Sequence, residues 1–417
     1  MKIFKNVLLV TILVLGLTIG AFANGLNLNG MGTKAISMGG AFIGLADDYS
    51  AVFWNPAGLT QLKESNLSVT SAFIIPTGTY EYAPAGINME TESAIFPAPA
   101  LTYFKPVSDR LVIGLAAYAT AGSGAEWDGN QLIPFNPMIQ AGDTTAYTWK
   151  SKVGGITFSP VLAYKFSDAL SIGVTLNLVY GMVDMDRPAM GQYSEKLDGI
   201  GFGATVGLLF KPSDIISVGF TFKAPHKVKV TGDAEMTGLA AMGMPAESGA
   251  TREVTWPMWI GGGIALKPMD KLTITFDVQY TNWGELDKIP MEFDEAIWKM
   301  DMGAGSLEDG SAFTLHWEDA IQIRGGIEYL LSDSLALRAG FYNDPGPSPA
   351  TTLNIMLPSI TYNVVTVGFG YTSEKIDLDL GFEYLKGTDR DAEGMEAMPG
   401  THGMDMLVPT VSFTYKF

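Results

Sequence analysis

Hydrophobic and polar residues alternate along most of the chain after residue 65. Between residues 272 and 281, large apolar side chains alternate with threonine, aspartate and glutamine, and residues 376–384 repeat the pattern. A period of two is that of a β-strand with two different faces. The pattern therefore predicts strands with one apolar and one polar face.

Short polar turns alternate with long loops between these predicted strands. The turns are polar and often contain Ser-Asp, and they lie at 105–109, 166–168, 211–214, 267–270, 331–333 and 372–374. The loops are rich in Gly, Pro and Asp, and they lie near 77–92, 120–146, 184–196, 226–250, 284–314, 344–360 and 387–406. This order predicts fourteen strands, an even number, with short turns on one side and long loops on the other, as in bacterial outer-membrane barrels. The expected fold is all-β, a 14-stranded antiparallel transmembrane β-barrel spanning residues 66–417.

Composition agrees with a barrel in a membrane. The chain is 47% hydrophobic but only 17% charged, and after the N-terminus no stretch of 18 residues is both uncharged and strongly apolar. A closed barrel satisfies its backbone in lipid without such a stretch. Because charge on the lipid face is costly, the polar face must line the lumen. The net charge of −18 disfavours nucleic acid as a partner.

The N-terminus has the features of a signal peptide. Lys2 and Lys5 precede an apolar run at 7–19 and the small-x-small motif Ala21-Phe22-Ala23. The run is short for a membrane helix, which needs about 20 residues. We therefore expect residues 1–23 to be removed by cleavage after Ala23.

Residues 24–65 do not alternate, although they are rich in apolar residues and glycine. Such a short segment cannot bury enough surface to fold alone. The nearest cavity is the barrel lumen, so these residues are predicted to form a plug inside it.

Motifs in the plug and near the C-terminus carry a family resemblance. Asn55-Pro56-Ala57-Gly58-Leu59 follows an Ala-Asp-Asp stretch, and the segments 317–349 and 368–371 contain further matches in order and spacing. Together they resemble the FadL-like outer-membrane transporters of long-chain fatty acids and hydrocarbons. The resemblance implies capture of a hydrophobic ligand in a lumenal pocket, movement of the plug and lateral exit through the wall. Its gating element would be Asn55, Pro56, Ala57 and Gly58.

Other candidate site residues follow from chemistry. Inward-facing Arg324 and Arg338 could bind a ligand carboxylate, since guanidinium donors match both of its oxygens; pairing with lumenal acids is the alternative. Pro97 and Pro99 could mark a gap in the wall, because proline removes a ladder donor. Methionine adapts to varied apolar shapes, so one loop could form an outer apolar groove or simply pack on its neighbours; its residues are Met236, Leu239, Met242 and Met244.

No cofactor or metal site is predicted. The chain has no cysteine and three histidines, none near a nucleophile motif, so we do not expect an enzyme. The acidic loop 389–394 begins like a calcium loop, but Gly400 occupies the position of the bidentate glutamate. A solvated loop, bridged by divalent ions to lipopolysaccharide, fits better. The last strand ends at Phe417, which resembles the signal for the barrel-assembly machinery.

Three functional hypotheses remain. The first is a plugged transporter for fatty acids or hydrocarbons. A general diffusion porin would not need residues 24–65. An adhesin or phage receptor would use the long loops instead.

Overall fold

The computed structural model describes residues 25–137, 139–300, 307–393 and 398–417. The predicted signal peptide and its cleavage site lie outside them. Within the described residues, no helix has both the length and the apolar character needed to cross a membrane.

Fourteen antiparallel strands form the wall, and two of them are interrupted. Strands β1 to β6 are Asn66–Tyr82, Phe96–Ser108, Leu111–Trp127, Trp149–Lys165, Leu170–Ala189 and Gly191–Phe210. Strand β7 has the segments Ile216–Lys223 and His226–Met236, and β8 has Glu247–Trp256 and Trp259–Met269. Strands β9 to β14 are Leu272–Thr281, Ala320–Leu330, Leu335–Asp344, Tyr362–Thr372, Ile376–Gly387 and Thr401–Lys416.

The sheet closes on itself, because β1 pairs with β14 from Asn66↔Lys416 to Glu81↔Thr401. Every other wall strand pairs with the strands before and after it in the chain. The predicted 14-stranded antiparallel barrel is therefore confirmed.

The two faces of the wall differ as the alternation predicts. On β9, Phe276 is 49% exposed on the outer surface, whereas its neighbour Asp277 is fully buried towards the lumen. The outer face is apolar over a continuous band, which suits a hydrocarbon environment.

Several strands extend further than the sequence indicates. The predicted long loop 184–196 is wrong: β5 and β6 continue to a tight turn in which Ala189 is opposite Gly191. Much of 226–250 is strand as well. Gly191 has a φ of 85°, which glycine adopts without strain. Outside the membrane, strands can pair without presenting an apolar face to lipid. The alternation of apolar and polar residues therefore does not reveal these strand extensions.

The long connections fold over the outer mouth of the barrel. They contain the short strands Ile87–Glu90, Lys288–Ile289, Met291–Phe293, Phe313–Thr314 and Arg390–Asp391. Their α-helices are Thr237–Ala241 and Leu307–Ser311, and their 3₁₀ helices are Ala83–Ala85, Ile133–Phe135, Ile139–Ala141, Trp283–Glu285 and Ala296–Lys299. Trp283 and Trp298 are fully buried among them.

Residues 25–65 lie inside the wall, with two short helices and a 3₁₀ helix. These are α1 (Thr33–Ser37), α2 (Ala51–Trp54) and Pro56–Gln61. Phe42, Trp54 and Leu59 are buried in an apolar cluster that includes Phe104 and Tyr118 of the wall. The plug therefore packs its apolar side chains on the barrel, as its length requires.

Candidate ligand cavity and plug

The Asn55-Pro56-Ala57-Gly58 element fixes part of the plug to the wall. The Asn55 side-chain amide donates to the carbonyl of Ile43 and to that of Leu208 on β6, at 2.9 Å each. Its oxygen accepts from the Ala57 amide at 3.2 Å, and Pro56 begins the 3₁₀ helix. Asn55 thus caps a helix, joins two parts of the plug and holds the wall.

Glycines on the inner face of the wall make room for this element. A Cβ at Gly207 would lie 2.1 Å from Asn55 Oδ1, and one at Gly173 would lie 2.2 Å from the carbonyl carbon of Pro56. At Gly219 it would lie 2.0 Å from the Ile43 carbonyl oxygen. Any larger residue at these positions would displace the plug.

Buried Asp277 also holds the plug backbone. Its carboxylate accepts from the Ile43 amide at 2.7 Å. The adjacent Gly263 leaves the necessary space, since a Cβ there would lie 2.0 Å from Asp277 Oδ1 and 2.8 Å from the Gly44 amide.

A network of charges joins the plug to strands β10, β11 and β13. Lys34 contacts Asp47 at 2.9 Å and Glu328 at 3.6 Å. Arg338 binds Glu328 at 2.7 Å and Asp379 at 2.5 Å. The alternative stated for Arg338, pairing with lumenal acids, is what the structure shows, and a ligand carboxylate would have to compete with two protein carboxylates.

One cavity lies between the plug and strands β3 to β10. Its volume is about 80 Å³, room for only a few waters. Most of its large side chains are aromatic or basic: Phe53, Trp54, Tyr118, Trp256, Trp259, Lys223, His226 and Arg324. Arg338 is not among its lining residues, so the two arginines do not share one site.

Lys223 is the cation in this cavity without a polar partner. Its ammonium lies 3.4 Å from the ring centre of Phe53 and 4.6 Å from that of Trp259. Across the described ranges, no hydrogen bond or ion pair involves this ammonium group. Each cation–π contact is worth about 0.5–2 kcal/mol. The rings are not polar acceptors, so N–H donors of Lys223 remain for a ligand.

Arg324 reaches the same cavity but is partly engaged by the plug. It donates to the Gly39 carbonyl at 3.1 Å, the Asn29 carbonyl at 3.4 Å and Gln322 at 3.0 Å. These acceptors are neutral, so its charge is not cancelled by a bound carboxylate. Its role as a ligand contact stays a prediction.

Pro97 and Pro99 lie where β2 parts from β3. Both pair with β1, at Phe73 and Ser71, but the β2–β3 ladder begins only at Ala100↔Tyr118.

Above that point, plug residues take the place of β2. The Leu28 amide donates to the Thr120 carbonyl at 3.2 Å, and the Gly122 amide donates to the Leu26 carbonyl at 3.1 Å. The proposed role of the prolines in lateral exit stays a prediction.

The methionine-rich loop does not form an open groove. Met236 and Leu239 are buried in an outer apolar cluster with Trp298, Met244 packs against it, and only Met242 is exposed. This is the packing alternative. An outer groove would require the loop to move.

The acidic loop is only partly described, because Gly394 lies outside the described residues. Asp391 accepts from Thr401 at 2.6 Å, and Arg390 donates to the Ser348 carbonyl at 2.7 Å. Divalent-ion binding by this loop stays a prediction.

A family model described as outer membrane protein transport protein (OMPP1/FadL/TodX) matches residues 14–417. The chain belongs to this family. It is similar to the long-chain fatty acid transport protein of Escherichia coli O6:H1, with 24% identity over 88% of each chain.

Two solved structures share the fold. A Pseudomonas aeruginosa FadL homologue has a TM-score of 0.75 at 18% identity, covering 94% of this chain and 100% of its own. The P. putida toluene transporter TodX has a TM-score of 0.73 at 16% identity, covering 94% and 99%.

Family membership confirms an outer-membrane β-barrel that transports hydrophobic molecules and is not an enzyme. Two features of the site were missed from the sequence. Lys223 lies two residues after Thr221 and four after Gly219 on β7. Because alternate residues of a strand share a face, the sequence could have predicted that Lys223 points into the lumen. Asp277 was assigned to the lumen, but nothing in the sequence pairs it with the plug.

Proposed function

We propose that this barrel transports amphipathic hydrophobic anions of the long-chain fatty acid class. The ligand is captured in the lumenal cavity, the plug moves, and the ligand leaves sideways through the wall. The observation that carries the proposal is Lys223, a cation held by aromatic rings beside the plug with no anionic partner among the described residues. A relative named as a long-chain fatty acid transport protein supports the same cargo.

The apolar part of such a ligand needs an apolar path instead of an open aqueous pore. Burial gives about 0.8 kcal/mol per methylene, so a sixteen-carbon chain gains roughly 12 kcal/mol that a water-filled pore would forfeit. The cavity of about 80 Å³ is too small for such a chain. The plug segment at residues 27–29 lines the cavity and also bonds to β3, so we propose that it yields as the ligand enters.

Replacing Lys223 tests the carboxylate contact. In Lys223→Gln, the dissociation constant of a long-chain fatty acid should rise roughly tenfold or more, because a hydrogen bond to a charged group contributes about 1.5–3 kcal/mol. Its neutral methyl ester should bind as before. Lys196→Gln, at an exposed position on β6, is the matched control.

The outcomes separate the hypotheses. Equal weakening of acid and ester would mean that Lys223 only shapes the cavity. Absence of fatty acid binding by the wild-type protein would refute the proposed cargo. Arg324→Ala should also weaken binding, and unchanged binding would remove Arg324 from the site.

Neutral hydrocarbons are the second candidate cargo. TodX, which shares the fold, is named as a toluene transporter, and the aromatic lining of the cavity suits flat apolar ligands. Binding of toluene with the same affinity by wild-type protein and Lys223→Gln would favour this class. A large steady conductance of the intact protein would instead favour a porin.

A further inference from the structure

Two prolines face each other where β7 and β8 are both interrupted. The ladder pairs Lys223 with Trp259 on one side of the break and His226 with Trp256 on the other. Continuing this register places Pro225 opposite Pro257. Proline has no N–H, so neither strand can donate to the other at this point.

No backbone hydrogen bond crosses the break. Residues 224–225 and 257–258 are all described, and the bonds they make go elsewhere. The Ala224 amide donates to Ala204 on β6 at 2.9 Å, and the Met258 carbonyl accepts from Asn282 at 3.0 Å. We call this break the proline seam.

The proline seam separates the cavity from the outside by a single layer of backbone. Ala224 and Pro257 line the cavity, as do Lys223 and Trp259 just below them. Pro225 is exposed on the outer surface.

The position of the seam along the barrel axis follows from the outward side chains. Below it, Val218 and Phe220 are exposed and apolar. Above it, Lys227 and Glu253 form an exposed ion pair at 2.6 Å. Because charged side chains are costly on the lipid face, this pair marks the edge of the apolar band. The seam therefore lies at the outer margin of the membrane, where Phe202 of β6 is 76% exposed.

We propose that the proline seam is a second lateral opening, through which the apolar tail of a ligand anchored at Lys223 passes into the outer leaflet. The cavity accommodates the charged head but not a long tail, and the seam is the adjacent part of the wall without cross-strand bonds. At the β2–β3 gap, by contrast, plug residues supply the missing bonds. The inference rests on the proposed function.

A disulfide across the seam tests this route, and the chain has no native cysteine. In Ala224→Cys/Met258→Cys, oxidation should lower the rate of long-chain fatty acid transfer into lipid vesicles at least fivefold, and reduction should restore it. The control Phe222→Cys/Ile260→Cys lies in the intact ladder and should transfer at the same rate in both redox states. Pro225→Ala/Pro257→Ala, which returns two N–H donors, should also slow transfer.

Fatty acid binding is measured in the same samples. One outcome is that every variant binds fatty acid while the oxidised and reduced forms of the seam variant transfer it at the same rate. That result would overturn the proposal that the seam is an opening, and the proposed function would stand. Asn27 and Ala121 face each other in an isolated bridge, so a disulfide between Asn27→Cys and Ala121→Cys locks the β2–β3 gap. If this disulfide stops transfer and the seam disulfide does not, the seam proposal is likewise overturned. Failure of the wild-type protein to bind fatty acid refutes the proposed function instead.

Discussion

Two regions of the plug are attached to the wall in different ways. The leading segment, residues 25–30, bonds to the edge of β3 and to Arg324, and part of it lines the cavity. The seated body, residues 33–62, bears Asn55 and Asp47, rests against wall glycines and is joined to Asp277 and Glu328. We propose that the leading segment moves first. The contacts of Asn55 and Pro56 hold the seated body to the wall, and the gating role expected of Asn55-Pro56-Ala57-Gly58 stays a prediction.

Gly173, Gly207 and Gly219 form the glycine seat, the part of the wall on which the seated body rests. The largest effect is expected from filling this seat with a larger side chain. In Gly207→Val the added atoms overlap Asn55 and Pro56, and overpacking of this kind costs about 1–3 kcal/mol or more. The seated body should be displaced, and single-channel recordings should show a large conductance. Gly262→Ala, where the nearest atom is 4.0 Å away, should remain closed. A closed Gly207→Val channel would contradict the anchoring role.

Removing the Asp277 carboxylate is the next test. Asp277→Ala leaves the Ile43 amide without its acceptor, at a cost of about 1–3 kcal/mol. Amide exchange of residues 42–44 should accelerate, while exchange of the leading segment should not change. Asp277→Asn, which keeps an acceptor oxygen, should have a smaller effect. Equal protection in wild-type protein and Asp277→Ala would show that the glycine seat alone holds the body.

A smaller effect is expected in the leading segment. Leu28→Pro removes the N–H that bonds to Thr120, a contribution of about 0.5–1.5 kcal/mol. Fatty acid transfer should become a few times faster without a rise in conductance. Leu28→Ala keeps the N–H and is the control. Slower transfer would mean that this bond supports the path instead of closing it.

The smallest effect is that of pH on the seated body. Burial raises the pKa of Asp48 to about 7, against the favourable field of Lys34 and despite hydrogen bonds from Ser50. The folded plug thus binds this proton more tightly than the unfolded chain does, so the contribution to stability is lost as pH rises through about 7. Amide protection of residues 45–50, corrected for intrinsic exchange, should be lower at pH 8 than at pH 6. Asp48→Asn should abolish the difference; a difference that persists would have another origin.

The sequence was most informative where the membrane constrains it. Lipid requires an apolar outer face and closed backbone pairing, so the alternation around Phe276 and Asp277 and the order of turns and loops predicted the strand number. The same constraint ends at the membrane surface. The hairpin at Gly191 was therefore missed, and the methionine loop packed instead of forming an open groove.

The candidate site was only partly predictable. The motif at Asn55 was visible as a resemblance, and the inward direction of Arg324 and Arg338 followed from the two-residue period. Some of their partners come from positions more than a hundred residues away, as when Asn55 bonds to Leu208 or Arg324 to Gly39. Such pairs depend on register around the whole barrel, to which no local pattern is sensitive.

The sequence by itself determined the barrel, its even strand number, the polar lumen and the need for residues 24–65 to pack inside. Each of these follows from the cost of exposing polar backbone or charge to lipid, or from a segment too short to fold alone. Only the tertiary structure decided that Arg338 is neutralised while Lys223 is free of anionic partners in the described chain, and that Pro225 faces Pro257. Those outcomes depend on which strands become neighbours and in what register. The effect of a charge or of a missing N–H donor is set by the group that lies opposite it on the neighbouring strand.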